Sequence, residues 1–76
     1  MEKVKSKRCD CGNIIELWAE IVADNEHSYM VTGALNTDVN MRCLCTCYKV
    51  YNFHAALERW VNKNQPNRQY KSNPLL

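Results

Sequence analysis

Apolar and polar residues alternate along the segment from Asn13 to Ala23. Every second residue from Ile15 onward is apolar, which gives an extended strand one continuous apolar face. The same segment allows a helix capped by Asn13, but its Ile and Val residues favour a pleated strand. We therefore predict a strand over 14–23. Its apolar face comprises Ile15, Leu17, Ala19, Ile21 and Ala23.

A second strand-like segment follows after a short polar turn. Residues 27–32 contain Tyr, Met and Val, and the Asp24-Asn25-Glu26 segment before them has the composition of a turn. Two strands joined by such a turn form an antiparallel hairpin. Gly33 is expected to end the hairpin, and residues 34–40 are expected to form a loop.

The segment from Met41 to Tyr51 alternates again and is rich in Tyr, Val and Thr, so it predicts a third strand. Because side chains alternate across a strand, the three cysteines at positions 43, 45 and 47 are expected to lie on one face.

The most regular helical pattern comes last. Apolar residues recur at spacings of three and four, which marks one side of a helix. We predict that this helix is capped by Asn52 and runs to about Asn64, where Pro66 prevents continuation. The apolar residues are Phe53, Ala56, Leu57, Trp60 and Val61.

Together these elements predict an α+β fold, in which a small three-stranded antiparallel sheet (the hairpin plus the third strand) is packed by one C-terminal helix. We expect a flexible basic tail over 1–8, a single domain over 9–64 and a polar C-terminal tail over 65–76. A chain of 76 residues builds a thin core, so a zinc staple would add to its stability.

Five cysteines in so short a chain form two clusters about thirty residues apart, which suggests a metal site. In a reducing compartment, clustered cysteines are metal ligands more often than disulfides. One Zn2+ needs four ligands, which two cysteines from each cluster supply, and Gly12 permits the tight turn that such a site requires. The spacing is Cys-x-Cys rather than Cys-x-x-Cys, so buried free thiols and a disulfide formed on oxidation stay open as alternatives. The candidate ligands are Cys9, Cys11, Cys43, Cys45 and Cys47.

Several functional classes find no support in the sequence. No apolar run reaches the length of a membrane span, and the charged N-terminus does not resemble a signal peptide, so we expect a cytoplasmic protein. The chain contains no glycine-rich phosphate loop and no set of residues arranged for nucleophilic or acid–base catalysis, so we expect no enzymatic activity.

Charge is distributed unevenly around a formal net charge of +2. Residues 13–40 contain five acidic residues and no Lys or Arg. An acidic surface with an exposed Trp suits the basic groove of a protein partner, although a solvated face that balances the basic ends explains the same pattern. The candidate contact residues are Glu16, Trp18, Glu20, Asp24 and Glu26.

Two further functions remain as alternatives. A nucleic-acid-binding zinc module would use basic residues near both ends, with Tyr48, Tyr51 and Tyr70 stacking on bases. A structural domain that pairs with a second copy of itself through an edge strand, giving a homodimer, is the other alternative. The basic residues of the nucleic-acid-binding alternative are Lys3, Lys5, Lys7, Arg8, Lys49, Arg59 and Lys63.

Several of these motifs occur in an order that resembles a known family. Cys9-Asp-Cys11-Gly12 resembles a first zinc knuckle, the cluster over 43–47 a second, and Ala56-Leu-Glu-Arg-Trp60 with Asn62 a closing helix. In this order they resemble the Lar-type restriction alleviation proteins of phages and prophages. The resemblance implies a phage protein that modulates a host restriction–modification system by protein contact. Other targets that suit such an inhibitor are a CRISPR effector and RNA polymerase.

Overall fold

A computed structural model describes residues 1–65. Within this part of the chain, two antiparallel three-stranded sheets precede one C-terminal helix. The predicted α+β fold, with a three-stranded antiparallel sheet and a closing helix, is therefore confirmed. The first sheet has the order β1-β2-β3 and the second the order β4-β5-β6. The elements are β1 (Glu2–Arg8), β2 (Ile14–Ala23), β3 (Glu26–Thr32), β4 (Asn36–Thr37), β5 (Arg42–Leu44), β6 (Val50–Asn52) and α1 (His54–Asn64).

The predicted hairpin is present as β2 and β3. Trp18 pairs with Met30 across the two strands, and Asn25 in the turn has a positive φ of 60°, a conformation that Asn tolerates better than most residues. The predicted apolar face is buried only in its first half. Ile15, Leu17 and Ala19 are fully buried, whereas Ile21 is 43% exposed.

Residues 1–8, predicted as a flexible tail, instead form strand β1, which pairs antiparallel with β2. A β-strand exposes backbone N–H and C=O groups along its edge, and β1 satisfies those of β2. The single apolar residue of the strand, Val4, packs against both hydrophobic clusters of the core. Lys3 lies 3.5 Å from Glu16 on the neighbouring strand. Val4 and the ion pair between Lys3 and Glu16 thus add to the backbone hydrogen bonds that pair β1 with β2. The sequence pattern does not reveal those hydrogen bonds.

The prediction of one continuous strand over 41–51 is wrong, because a turn interrupts the segment in its middle. The chain forms two short strands, β5 and β6, joined by a turn over 45–49, and it pairs with β4 instead of with the hairpin. The turn requires a positive φ of 74° at Tyr48, which an extended strand does not contain. The cysteines of this segment therefore do not share one strand face. Strand β4 lies within the segment that was expected to be a loop.

The helix ends where the sequence predicts, at Asn64. It begins at His54, and the cap position is occupied by Phe53 instead of the predicted Asn52. The side-chain oxygen of Asn52 accepts the backbone N–H of His54 at 2.8 Å, just before the helix. Gln65 is the first residue of the predicted polar C-terminal tail, but it packs onto the folded domain. It is buried, and its Nε2 donates to the backbone oxygens of Ala23 and Glu26 at 3.1 and 3.0 Å. The rest of the predicted C-terminal tail lies outside the described residues.

The core consists of two clusters. The smaller one packs the end of α1, through Trp60 and Val61, against Ala19 of β2. The larger one joins the two sheets, and three of the five cysteines belong to it. The larger cluster contains Cys9, Ile15, Leu17, Met41, Cys43, Cys45, Phe53 and Ala56.

No helix among residues 1–65 is long and apolar enough to cross a membrane.

Candidate metal centre

Two turns of matching backbone geometry bring the cysteines together. In the first knuckle (residues 9–13), the Cys9 N–H donates to the carbonyl of Asn13 at 2.8 Å and the Gly12 N–H donates to the carbonyl of Cys9 at 2.9 Å. The second knuckle (residues 45–49) repeats both bonds. The Cys45 N–H donates to the carbonyl of Lys49 and the Tyr48 N–H to the carbonyl of Cys45, each at 2.8 Å. Each knuckle thus presents a Cys-x-Cys pair on a tight hairpin turn.

Both knuckles need a positive φ at their fourth residue. In the first knuckle this residue is Gly12, with a φ of 94°, and in the second it is Tyr48, with a φ of 74°. Glycine adopts this conformation without penalty, as the sequence predicts for Gly12. Tyrosine at the equivalent position is strained.

The four cysteine sulfurs of the knuckles converge on one point. All four lie within 4.8 Å of one another, and the contacts Cys9–Cys47, Cys11–Cys45 and Cys45–Cys47 measure 3.4, 3.5 and 3.6 Å. Four sulfurs at about 2.3 Å from a tetrahedral ion are separated by about 3.8 Å. The cluster therefore has the dimensions of a four-sulfur metal site.

Of the five predicted ligands, Cys43 does not join this cluster. Its Sγ lies 3.6 Å from the hydroxyl of Thr37 and 3.8 Å from the carbonyl oxygen of Met41. The side chain is fully buried, and burial raises the pKa of its thiol. Cys43 is thus a core residue.

Hydrogen bonds from the protein stabilise two of the four sulfurs as thiolates. The pKa of Cys45 is lowered to about 6, mainly because the backbone N–H of Cys47 points at its sulfur, and the Asn13 amide adds a contact at 3.5 Å. The pKa of Cys9 is lowered by the backbone N–H of Cys11 and by the hydroxyl of Tyr51, which lies 3.1 Å from the sulfur. These hydrogen bonds therefore favour the thiolate form of Cys9 and of Cys45.

The sulfurs also oppose one another's ionisation. The Lys49 N–H lowers the pKa of Cys47, but contact with the Cys9 sulfur, desolvation and the other two sulfurs outweigh it, and the pKa rises to about 12. Four thiolates at this spacing need a compensating cation. A divalent metal held by the four sulfurs would supply that charge.

Charged residues around the cluster connect the two knuckles. The Lys49 ammonium lies 2.7 Å from the Asp10 carboxylate, which joins the second knuckle to the first. The Lys7 ammonium lies 5.6 Å from the ring centre of Tyr51. Cations at this position compensate part of the negative charge of a metal–thiolate centre.

The predicted protein-contact residues are only partly brought together. Glu16, Trp18 and Glu20 lie on the face of β2 opposite the buried one. Cations accompany all three, because Lys3 contacts Glu16 and lies 5.9 Å from the Trp18 ring centre, and the N-terminal amine lies 3.7 Å from Glu20. Trp18 is half-buried rather than exposed. Asp24 and Glu26 lie at the hairpin turn.

The predicted nucleic-acid residues divide into three groups. Four of them, Lys3, Lys5, Lys7 and Arg8, are exposed on strand β1, and Lys49 lies in the second knuckle. Arg59 and Lys63 are exposed on α1. Strand β1 is linked to β6, the strand that follows the second knuckle, through Lys7 and Tyr51.

Sequence reasoning missed three residues that support the cluster: Asp10, Asn13 and, as a partner of a cysteine, Tyr51. Asn13 was considered only as a helix cap and Tyr51 only as a surface aromatic. The available signal was the repeat of the Cys-x-Cys pair, at 9–11 and again at 45–47. Treating Cys43, Cys45 and Cys47 as one strand concealed that repeat.

Comparison of the chain with protein-family models, with curated proteins and with solved structures finds no significant match.

Proposed function

We propose that this chain is a binding module stabilised by one structural Zn2+ and that it acts by stoichiometric contact with a protein partner. The observation that supports the metal is the convergence of four cysteine sulfurs from two matching knuckles. A four-cysteine set occupies every position of a tetrahedral ion, which is typical of structural rather than catalytic zinc. The module is therefore expected to work as a scaffold and not as an enzyme.

The metal is tested by native mass spectrometry of reduced protein, beside the same sample denatured. We expect one Zn2+ for each chain, lost on denaturation. A reduced chain that folds without metal would contradict the zinc part of the proposal. Iron also suits a tetrahedral four-sulfur site. A visible absorbance band would identify the bound metal as iron and not zinc.

The contact surface proposed for the partner is the outer sheet face, defined as Ile14, Glu16, Trp18, Glu20 and Met30. Ile14 and Met30 are about half exposed, and Trp18 pairs with Met30 across the hairpin. A Trp and a Met at the centre of a face with carboxylates at its margin have the composition of a protein interface. The cations beside Glu16 and Glu20 reduce the negative charge of the outer sheet face. We therefore expect apolar contacts to contribute more to binding than the acidic residues of the sequence suggest.

The resemblance to Lar-type proteins makes a restriction–modification complex the first partner to test. The experiment measures how efficiently unmodified phage plates on a restricting host that expresses the chain. We expect the natural chain to raise plating and Trp18→Ala to abolish the effect. Val39→Ala is the matched control, because Val39 is 92% exposed and lies outside the outer sheet face.

Each outcome of this assay has a distinct meaning. A zinc-loaded, folded Trp18→Ala chain that still raises plating would exclude the outer sheet face as the contact surface. A natural chain that never raises plating would exclude restriction as the target, and purified CRISPR effector and RNA polymerase would then be tested for direct binding.

A further inference from the structure

Tyr48 occupies a position in the second knuckle that favours glycine. Its φ is 74°, and the equivalent residue of the first knuckle is Gly12. Bulky side chains rarely adopt this conformation, and when they do the strain is found most often at functional sites. The side chain of Tyr48 is 75% exposed. Packing therefore does not explain why a tyrosine is present there.

A lysine and a second tyrosine follow Tyr48 closely in the chain. Lys49 follows it directly, and the Lys7 ammonium lies over the ring of Tyr51. Lys5 and Lys7 belong to β1, an edge strand of its sheet, and share one face because they pair with Leu17 and Ile15, whereas Arg8 lies on the opposite face. Two acidic groups lie in this region: Glu2 at the start of β1, and Asp10, which is paired with Lys49. An exposed aromatic ring thus lies in the same turn as Lys49, and Lys7 reaches the ring of Tyr51 in the strand that follows this turn.

We infer that β1 and the second knuckle bind single-stranded nucleic acid, with a base stacked on Tyr48 and phosphates near Lys7 and Lys49. Stacking on an aromatic ring beside lysines is the usual basis of binding to unpaired strands. This inference goes beyond the proposed protein contact, which uses the outer sheet face. Lysines on an edge strand also prevent unwanted strand pairing, but that role does not require a strained, exposed Tyr48.

Affinity is expected to be moderate and sensitive to salt. Zn2+ with four thiolates carries about two negative charges, which offset part of the surrounding positive charge. With about three phosphates neutralised, the logarithm of the binding constant falls with the logarithm of salt concentration with a slope of about −2.

The test uses the zinc-loaded full chain, after its metal content has been measured. Fluorescence anisotropy follows binding to labelled oligothymidylate and oligouridylate of about twelve nucleotides and to a duplex of the same length. We expect both single strands to bind more tightly than the duplex. Tyr48→Ala is expected to weaken single-strand binding by about 5- to 100-fold, and Lys7→Gln to weaken it less. Asp10→Asn, which releases Lys49, is expected to strengthen it.

Two variants distinguish the loss of a base contact at Tyr48 from a change in the folded structure. Tyr48→Gly relieves the backbone strain, so it is expected to raise the melting temperature while weakening binding as much as Tyr48→Ala does. Tyr29→Ala is the matched control, because Tyr29 is a tyrosine on the hairpin, 42% exposed, and its loss is expected to leave binding unchanged. Equal affinity for duplex and single strand, unaltered binding by Tyr48→Ala, or no binding at low salt would each overturn the inference. None of these readouts depends on the plating assay, so the two proposals fail separately.

Discussion

The hydroxyl oxygen of Tyr51 lies 3.1 Å from the sulfur of Cys9, across the boundary between the two sheets. Tyr51 belongs to β6, whereas Cys9 opens the first knuckle. This contact and the ion pair between Asp10 and Lys49 connect the two halves of the candidate metal centre. The cysteines therefore receive support from both sheets at once.

Removing the Tyr51 hydroxyl tests that support. The O–H group donates to the Cys9 sulfur, which raises the pKa of the phenol to about 12 and lowers that of the thiol. Partners of metal ligands typically contribute about 10- to 100-fold to metal affinity. We expect Tyr51→Phe to weaken zinc binding by roughly tenfold in a chelator competition, with Tyr29→Phe unchanged. Equal affinities in the two variants would show that the contact does not stabilise the bound metal.

The identity of the fifth cysteine gives a second prediction. Cys43 lies outside the sulfur cluster and Cys45 within it. We expect Cys43→Ala to retain one Zn2+ in native mass spectrometry, at a stability cost of about 1–2 kcal/mol for the small cavity. Cys45→Ala is expected to lose the metal, because three thiolates bind zinc more weakly than four. The opposite result would place Cys43 among the ligands.

Metal removal should affect the second sheet most. Strands β4, β5 and β6 have two or three residues each, too few to be stable alone, and the second knuckle joins β5 to β6. We expect a chelator to expose amides of residues 36–52 to hydrogen exchange before those of the β2–β3 hairpin. Uniform protection after complete metal removal would contradict a structural role for the metal.

Two glycines provide a matched test of backbone strain. Gly12 and Gly33 have positive φ values of 94° and 85°. A Cβ at Gly12 meets open space, whereas a Cβ at Gly33 collides with the carbonyl oxygen of Ile14. We expect Gly12→Ala to reduce the free energy of unfolding by about 1 kcal/mol and Gly33→Ala by about 3 kcal/mol or more. Urea unfolding of the zinc-loaded variants measures both, and similar losses would show that the Ile14 contact relaxes easily.

Asp38 organises the turn between β4 and β5. Its Oδ1 accepts the backbone N–H groups of Asn40 and Arg42 at 2.9 and 3.0 Å, and its Oδ2 lies 2.9 Å from Nε of Arg42. Asn retains an acceptor oxygen and Ala does not, so we expect Asp38→Ala to lower the urea midpoint more than Asp38→Asn. Equal midpoints would mean that the turn does not depend on these bonds.

The pH dependence of Asp38 follows from its lowered pKa, which is due first to the Arg42 backbone N–H. A carboxylate with a lowered folded-state pKa stabilises the fold fully above its ordinary pKa of 3.8, and the effect is lost only as pH falls through the folded value. The difference between the natural chain and Asp38→Asn is therefore expected to stay constant between about pH 6 and 8. A difference that changes across this range would assign the titration to another group.

Local patterns were sufficient for the hairpin, the helix and the residue type of the candidate metal ligands. The alternation over 14–23 and the helical spacing from Phe53 to Val61 each reflect one buried face, and such a face is written directly into the sequence. Two clusters of cysteines in a short chain likewise indicate a metal site through residue type and spacing alone.

The tertiary structure decided what depends on pairing between distant segments. Strand β1 contains one apolar residue, Val4, so its place beside β2 comes from backbone hydrogen bonding, which no side-chain pattern records. Cys43, Cys45 and Cys47 are equally spaced in sequence, and only the turn at Tyr48 separates two candidate ligands from a core residue. Periodicity reports which face of a segment is buried, whereas a metal centre depends on where separate segments meet.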